Sequence, residues 1–223
     1  MAGLPRYRFL LCDLDNTLYP PDSGVMSGVG RLISRYMVER VGIPPADVDA
    51  LKREYYERYG ATMCGLMIHY GIDPEDYLAY VHNLPLGQYI GPNPDLDAML
   101  ASIPLRKAVF TNSDREHAGR VLDTLDVRHH FERIIDVRDF GFYPKPHQSA
   151  YLRTLEILKA RADECFIVED AAPNLVPAKA MSMVTVLVAG NPGTGEDWPD
   201  AVDIRIPDIL DLAGAIGLWA MGQ

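Results

Sequence analysis

Two acids separated by one residue, Asp13 and Asp15 in FLLCDLDNTLYPP, are the first place where this sequence could do chemistry. The apolar run before them has the character of a buried strand. In an extended chain residues i and i+2 point to the same side, so the two carboxylates crowd each other. Two charges at roughly 5 Å in an effective dielectric of about 20 repel by about 3 kcal/mol. That is a large share of the roughly 5–15 kcal/mol that holds a domain folded. A cation, a proton or exposure to water has to compensate.

Further residues of the same kind stand at similar places. Thr111 and Asn112 in VFTNSD, and Glu169 and Asp170 in FIVEDAAPN, each follow an apolar run, and Lys145 in GFYPKPH precedes a helical stretch. Ser113 and Glu116 have capping-box spacing, which predicts a helix beginning directly after Thr111. The free N–H groups of such a helix start suit an anion. Pro146 and Pro173 suit the first turns of the next two helices. Four carboxylates favour a hard cation such as Mg²⁺, while a lysine and oriented N–H donors favour phosphate. The combination points to a phosphoryl group beside a magnesium ion.

The elements that must position these residues alternate in type. Residues 7–12, 107–110, 133–137, 165–168 and 184–188 are predicted as strands buried on both faces, with helices over 114–125, 147–159 and 174–181. Such alternation predicts an α/β fold with a parallel sheet. The C-terminal strand ends of an open parallel sheet share one edge, so these candidates should converge. The tail adds an edge strand at 203–206 and a closing helix from Pro207. Residues 20–87 show no strand. Val25, Val29, Leu32, Ile33 and Tyr36 recur at helical spacing, and helices are expected over 46–59, 61–70 and 74–81. A crossover of this length is no ordinary loop. It reads as a helical cap over 20–87 inserted after strand one, with 1–19 and 88–223 forming the core.

Composition narrows the partners. The chain has 223 residues, 48% hydrophobic and 23% charged, with a formal net charge of −10. That sign is wrong for a nucleic-acid polymer or an anionic membrane, yet a local cation can still recruit a small anionic substrate. Cys12, Cys64 and Cys165 form no CxxC pair and fit reduced thiols. The apolar run near the N-terminus stops at Asp13, too short for a signal peptide, and no run is long enough to span a bilayer. The expectation is a soluble, cytoplasmic protein whose oligomeric state is unreadable.

DLDNT resembles the first motif, D-x-D-x-T, of the haloacid dehalogenase-like (HAD) phosphohydrolases. TN after strand two is similar to their second motif, Lys145 to the third and ED after an apolar strand to the fourth. DLDNTLYP, YYERYGATMCGL and FGFYPKP resemble, more narrowly, the pyrimidine 5′-nucleotidase-like branch. The resemblance implies a Rossmann-like three-layer core and a phosphatase acting on a small phosphorylated metabolite. It implies that Asp13 attacks phosphorus and that Asp15 serves as acid and then base. Thr111, Asn112 and Lys145 would hold the phosphoryl group. Asp13, the main-chain carbonyl of Asp15, Asp170 and, directly or through water, Glu169 would hold Mg²⁺. A nucleoside 5′-monophosphate is the implied substrate, with a phosphosugar phosphatase or phosphomutase as the alternative.

Other patterns carry less. Leu18 stands where an EF-hand loop needs Gly, and Leu66 in GATMCGL replaces the P-loop Lys. GNPGTG near residue 190 reads as a polar surface loop. Adjacent side chains such as His129 and His130 should diverge, which makes a poor metal pair. Tyr55 and Tyr59 share a helix face, either to stack on a base or to pack the cap, and Tyr19 is the aromatic better placed for a ligand. Asp15 argues against a dehalogenase, because carbon–halogen cleavage needs no acid for an alkoxide. The intact acids, Lys145 and Thr111 argue against a catalytically silent binding protein.

Overall fold

The computed structural model describes residues 6–188 and 200–221, so the loop expected near residue 190 lies outside the described residues. One parallel sheet contains β1 (Phe9–Cys12), β2 (Arg106–Phe110), β3 (Phe131–Ile135), β4 (Cys165–Glu169), β5 (Val184–Val188) and β6 (Ile204–Ile206). Their spatial order is β3-β2-β1-β4-β5-β6, parallel throughout. Every residue of β1 is buried, and since successive side chains alternate faces, both faces of the sheet are covered there. Each large apolar side chain so buried contributes about 1.5–3 kcal/mol.

β3 departs from the expectation of a strand over 133–137 buried on both faces. It begins at Phe131, and Ile135 alone among its residues is buried. It lies at the sheet edge, its register against β2 shifts at Lys107/Ala108, and a short 3₁₀ turn, Arg128–His130, delivers the chain to the sheet early. β6, the other edge strand, lies where it was expected.

The helices are α1 (Val25–Glu39), α2 (Val48–Tyr59), α3 (Thr62–Tyr70), α4 (Pro74–Val81), α5 (Pro94–Ser102), α6 (Arg115–Thr124), α7 (Gln148–Leu158), α8 (Ala172–Ala180) and α9 (Leu212–Met221). The first four occupy the stretch between β1 and α5, the stretch expected to form a helical cap. α2 and α3 pack closely enough that a Cβ on Gly65 would sit 2.1 Å from Cγ of Tyr55. α5 was not anticipated, although its signals are present. Asn93 caps it by accepting from Leu96 N at 3.0 Å, Pro94 opens it, and Leu96, Met99 and Leu100 are buried. α9 starts at Leu212 and not at Pro207, because Asp208 first caps a 3₁₀ turn over Ile209–Asp211.

Polar bonds tie the cap to the core. The Arg138 guanidinium, just past β3, donates to both carboxylate oxygens of Glu75 on α4, at 2.7 and 2.6 Å. It also reaches Glu116 at 2.7 Å and Asp136 at 3.0 Å on the core side. Arg120 donates to the carbonyl of His82, where the chain leaves the cap. No helix of the described residues is long and apolar enough to cross a membrane.

Candidate active site

β1 pairs with β2 on one side and β4 on the other, so the residues just past their ends meet. The main-chain N–H of Asp13 donates to Val168 O at 2.9 Å, which carries the ladder one residue further and fixes where its carboxylate stands. Lys145 arrives from the loop after β3. Its Nζ donates to Asp13 Oδ1 at 2.8 Å, Glu169 Oε1 at 2.5 Å and Phe110 O at 2.7 Å. Asn112 seats this lysine by accepting from Lys145 N at 2.8 Å and donating to Lys145 O at 3.0 Å. Both side-chain groups of Asn112 are therefore engaged by the lysine backbone. A turn closed by His147 N donating to Pro144 O at 2.8 Å leaves Pro146 outside α7, whose cap is His147; Pro173 lies inside the first turn of α8 as expected.

The expected capping box does not form. Asp114 caps α6, accepting from His117 N at 2.6 Å. The Ser113 hydroxyl instead donates to Asp15 Oδ2 at 2.5 Å, and Glu116 pairs with Arg138. The reason is local competition: turning its hydroxyl toward Asp15 removes Ser113 from the helix start. Asp15 Oδ1 also accepts from Tyr19 OH at 2.5 Å and lies 3.0 Å from His117 Nε2. His117 stacks on His82 with ring centroids 4.3 Å apart, and His82 Nδ1 lies 2.5 Å from Asp114 Oδ2. A buried polar chain thus runs from Asp15 through α6 to the cap return.

Asp13, Glu169 and Asp170 each offer one oxygen, and these atoms lie within 4.8 Å of one another. This all-oxygen set suits a hard dication. Asn16 Oδ1, one residue past Asp15, is buried without a partner, which again suits a cation or its water. The Asp15 carboxylate stands apart from this group among its own donors; it is the family resemblance that implies its main-chain carbonyl as a ligand.

Electrostatics divide the acids. Burial raises Asp13, against the opposing pull of Lys145. Burial and the Asp13 charge push Asp170 up to about 6 and raise Glu169 as well. Burial alone would raise Asp15, but His117 and the hydrogen bonds from His117, Ser113 and Tyr19 hold it below the usual carboxylate range. The two acids of DLD are split in proton affinity, in the sense opposite to the roles that the family resemblance implies. Without a cation, Asp13 is the more basic, because burial, helped by the Asp15 charge, outweighs the pull of Lys145, while Asp15 faces donors.

A family model described as haloacid dehalogenase-like hydrolase matches residues 7–181. The chain belongs to that family. Phosphate metabolism protein 8 of Saccharomyces cerevisiae is 27% identical over 202 residues, covering 82% of this chain and 62% of the yeast protein; the chain thus spans under two thirds of that relative. A HAD phosphatase from Thermococcus onnurineus has a TM-score of 0.65 at 17% identity, covering 94% of this chain and 98% of its own. An L-2-haloacid dehalogenase from Xanthobacter autotrophicus has a TM-score of 0.61, also at 17% identity, covering 95% and 98%. At such identities the shared property is the HAD fold.

Beside the HAD motifs, a cleft of about 770 Å³ opens between cap and core. Tyr56, Arg58 and Tyr59 of α2 line one wall and Phe142 and Tyr143 the other, with Asn112 and Lys145 also contributing. Tyr55 is buried as cap packing, against Gly65. Tyr19 is only 1% exposed and bonds Asp15, so it is no ligand platform. His117 and the Ser113 hydroxyl were missed by sequence reasoning, whose one available signal was their position in the first turn after Thr111. The divergence expected of His129 and His130 also fails: in their tight turn both Nε2 atoms meet Asp97 Oδ1, at 3.0 and 2.7 Å.

Proposed function

We propose that this HAD hydrolase is a Mg²⁺-dependent, cytoplasmic phosphomonoester hydrolase. Its substrate in this reading is a nucleoside 5′-monophosphate, with a pyrimidine base, and its covalent intermediate is an aspartyl-phosphate on Asp13. The observation that carries the reading is the meeting of Asp13, Lys145, Glu169 and Asp170, with Asp15 held separately by its own donors. Mg²⁺ held by Asp13, Glu169, Asp170 and the Asp15 carbonyl would neutralise charge, so that an anionic nucleophile can meet an anionic ester.

The chain's own residues do the rest. An Asp13 oxygen forms a bond to phosphorus as the ester P–O bond breaks. Lys145 holds the nucleophile in line and offsets charge as it develops. Thr111, the Asn112 main chain and the N–H groups entering α6 hold the phosphoryl oxygens, while the Asn112 side chain seats Lys145. Asp15 gives its proton to the leaving oxygen, then takes one from the water that frees Asp13. A phosphate dianion beside Asp15 raises its proton affinity by like-charge repulsion, which reverses the order of the two acids found in the free protein.

Three features support the finer reading. The aromatic walls of the cleft suit a planar base, the segments DLDNTLYP and FGFYPKP resemble the nucleotidase-like branch, and the yeast relative is named for phosphate metabolism. The test is phosphate release from UMP, CMP and a sugar-phosphate panel, with and without Mg²⁺. Turnover of UMP and CMP is expected only with Mg²⁺. Turnover confined to sugar phosphates would overturn the nucleotide assignment, and isomerised product without free phosphate would overturn hydrolysis.

A further inference from the structure

Because the strands are parallel, the candidate active site lies at one edge of the sheet and the turn that enters β3 lies at the other. At that second edge His129 and His130 approach one carboxylate. Their Nε2 atoms stand 3.0 and 2.7 Å from Asp97 Oδ1, and their ring centroids are 4.1 Å apart. The three ligand atoms lie within 4.8 Å of one another. We propose that Asp97, His129 and His130 form a second metal site, for a borderline transition metal such as Zn²⁺, which staples α5 to the turn before β3.

The donor chemistry separates this site from the first. Imidazole nitrogens suit Zn²⁺, Cu²⁺ or Ni²⁺, whereas an all-carboxylate set suits Mg²⁺. The spacing is close to what a metal needs. Tetrahedral zinc with bonds of about 2.0–2.1 Å holds its ligand atoms about 3.3 Å apart, so the two Nε2···Oδ1 separations have to open by about 0.3 and about 0.6 Å. With no ion, His130 Nε2 hydrogen-bonds Asp97 Oδ1 while His129 Nε2 stands 3.0 Å from the same oxygen without a hydrogen bond; a cation lets both lone pairs and the carboxylate act together.

The supports are unequal in a useful way. Asp97 is fixed on α5, and the His130 side chain is only 12% exposed. The His129 side chain is 62% exposed, which provides an entry path and room for water as a fourth ligand. Arg128 of the same turn lays its guanidinium against Gly119 of α6. A chain of net charge −10 adds a long-range attraction for cations.

The test is calorimetric titration of Zn²⁺ into the full chain in saturating Mg²⁺, comparing the unmodified protein with His129→Gln and Asp97→Asn. Binding at the active site is common to all three and cancels in the comparison. Loss of even an outer-shell partner weakens metal affinity by about 10–100-fold, so each variant should weaken one binding event at least about tenfold. Zn²⁺ should raise the melting temperature of the unmodified protein more than that of His129→Gln, whose exposed side chain can be changed without touching the core. Mg²⁺-dependent hydrolysis should be the same in all three. Superimposable isotherms, or no binding event in the unmodified protein beyond those in the variants, would overturn the site.

Discussion

Lys145 answers two carboxylates at once. Each is buried, and a buried charge left without its partner costs about 3–5 kcal/mol. The lysine therefore does structural work before it does any chemistry, and Asn112, which reads as a phosphate ligand in the sequence, is engaged in seating it. Asp15 is placed with similar care by Tyr19, Ser113 and His117. Replacing His117 with Gln keeps side-chain bulk but loses the imidazole contact to Asp15. Since general acid–base catalysis contributes about 10²–10⁴-fold, kcat should fall about ten- to a hundredfold while KM stays nearly unchanged. Steady-state kinetics check this; a change confined to KM would assign His117 to substrate binding. The positions of Asp13, Asp15, Thr111, Glu169 and Asp170 at strand ends, and of Lys145 just before α7, were legible because they are local features of the sequence; the roles given to them belong to the proposed function. His117 and Ser113 were not, because what matters is their contact with Asp15, 102 and 98 residues away in the chain.

At the scale of elements, polar contacts join α4 to the segment after β3, beside the apolar packing that runs through both. Glu75, in the first turn of α4, is gripped by Arg138 through both oxygens, and Arg138 is held in turn by Asp136 and Glu116. Exposed ion pairs contribute about 0–1 kcal/mol to stability, so Glu75→Gln should leave the unfolding midpoint nearly unchanged. Loosening the cap should instead raise KM a few-fold for substrates with a large leaving group. High salt should mimic this in the unmodified protein by screening the pair, and should add little to the variant. Equal KM values at low salt would show that the clasp does not govern closure. Strands in the sheet interior were legible from continuous apolar runs. β3 misled because Ile134, Ile135 and Val137 look like a buried run, while the edge position and the early start at Phe131 depend on pairing with β2. α5 was overlooked because the surrounding Gly and Pro residues read as a returning loop. His129 and His130 meet because the 3₁₀ turn over Arg128–His130 brings both to one carboxylate, which adjacency in the sequence does not show.

For the molecule as a whole, the raised acids couple stability to pH. Asp170 has its folded value pushed from 3.8 up to about 6, and Glu169 is raised as well. The folded state thus holds protons more tightly than the unfolded chain, and stability present below pH 3.8 is lost as pH rises through about 6. Buried His82 is lowered and acts in the opposite direction, since its contribution is lost as pH falls. A cation at the carboxylates replaces their protons and leaves His82 untouched. The rise in melting temperature on adding Mg²⁺ should therefore be small at about pH 5 and larger at about pH 7.5. Asp170→Asn should flatten that trend. A Mg²⁺ effect independent of pH would place the ion elsewhere.

The claim on which all of this rests is that Asp13 becomes phosphorylated. It is tested most directly in Asp15→Asn protein, which lacks the residue proposed to free the intermediate. p-Nitrophenyl phosphate is the substrate of choice, because its leaving group needs no acid. The protein is quenched in acid during turnover with Mg²⁺, and the peptide carrying Asp13 is weighed by mass spectrometry. The account predicts the added mass of one phosphoryl group on Asp13. An unmodified Asp13, or a phosphoryl group on any other residue, would contradict it.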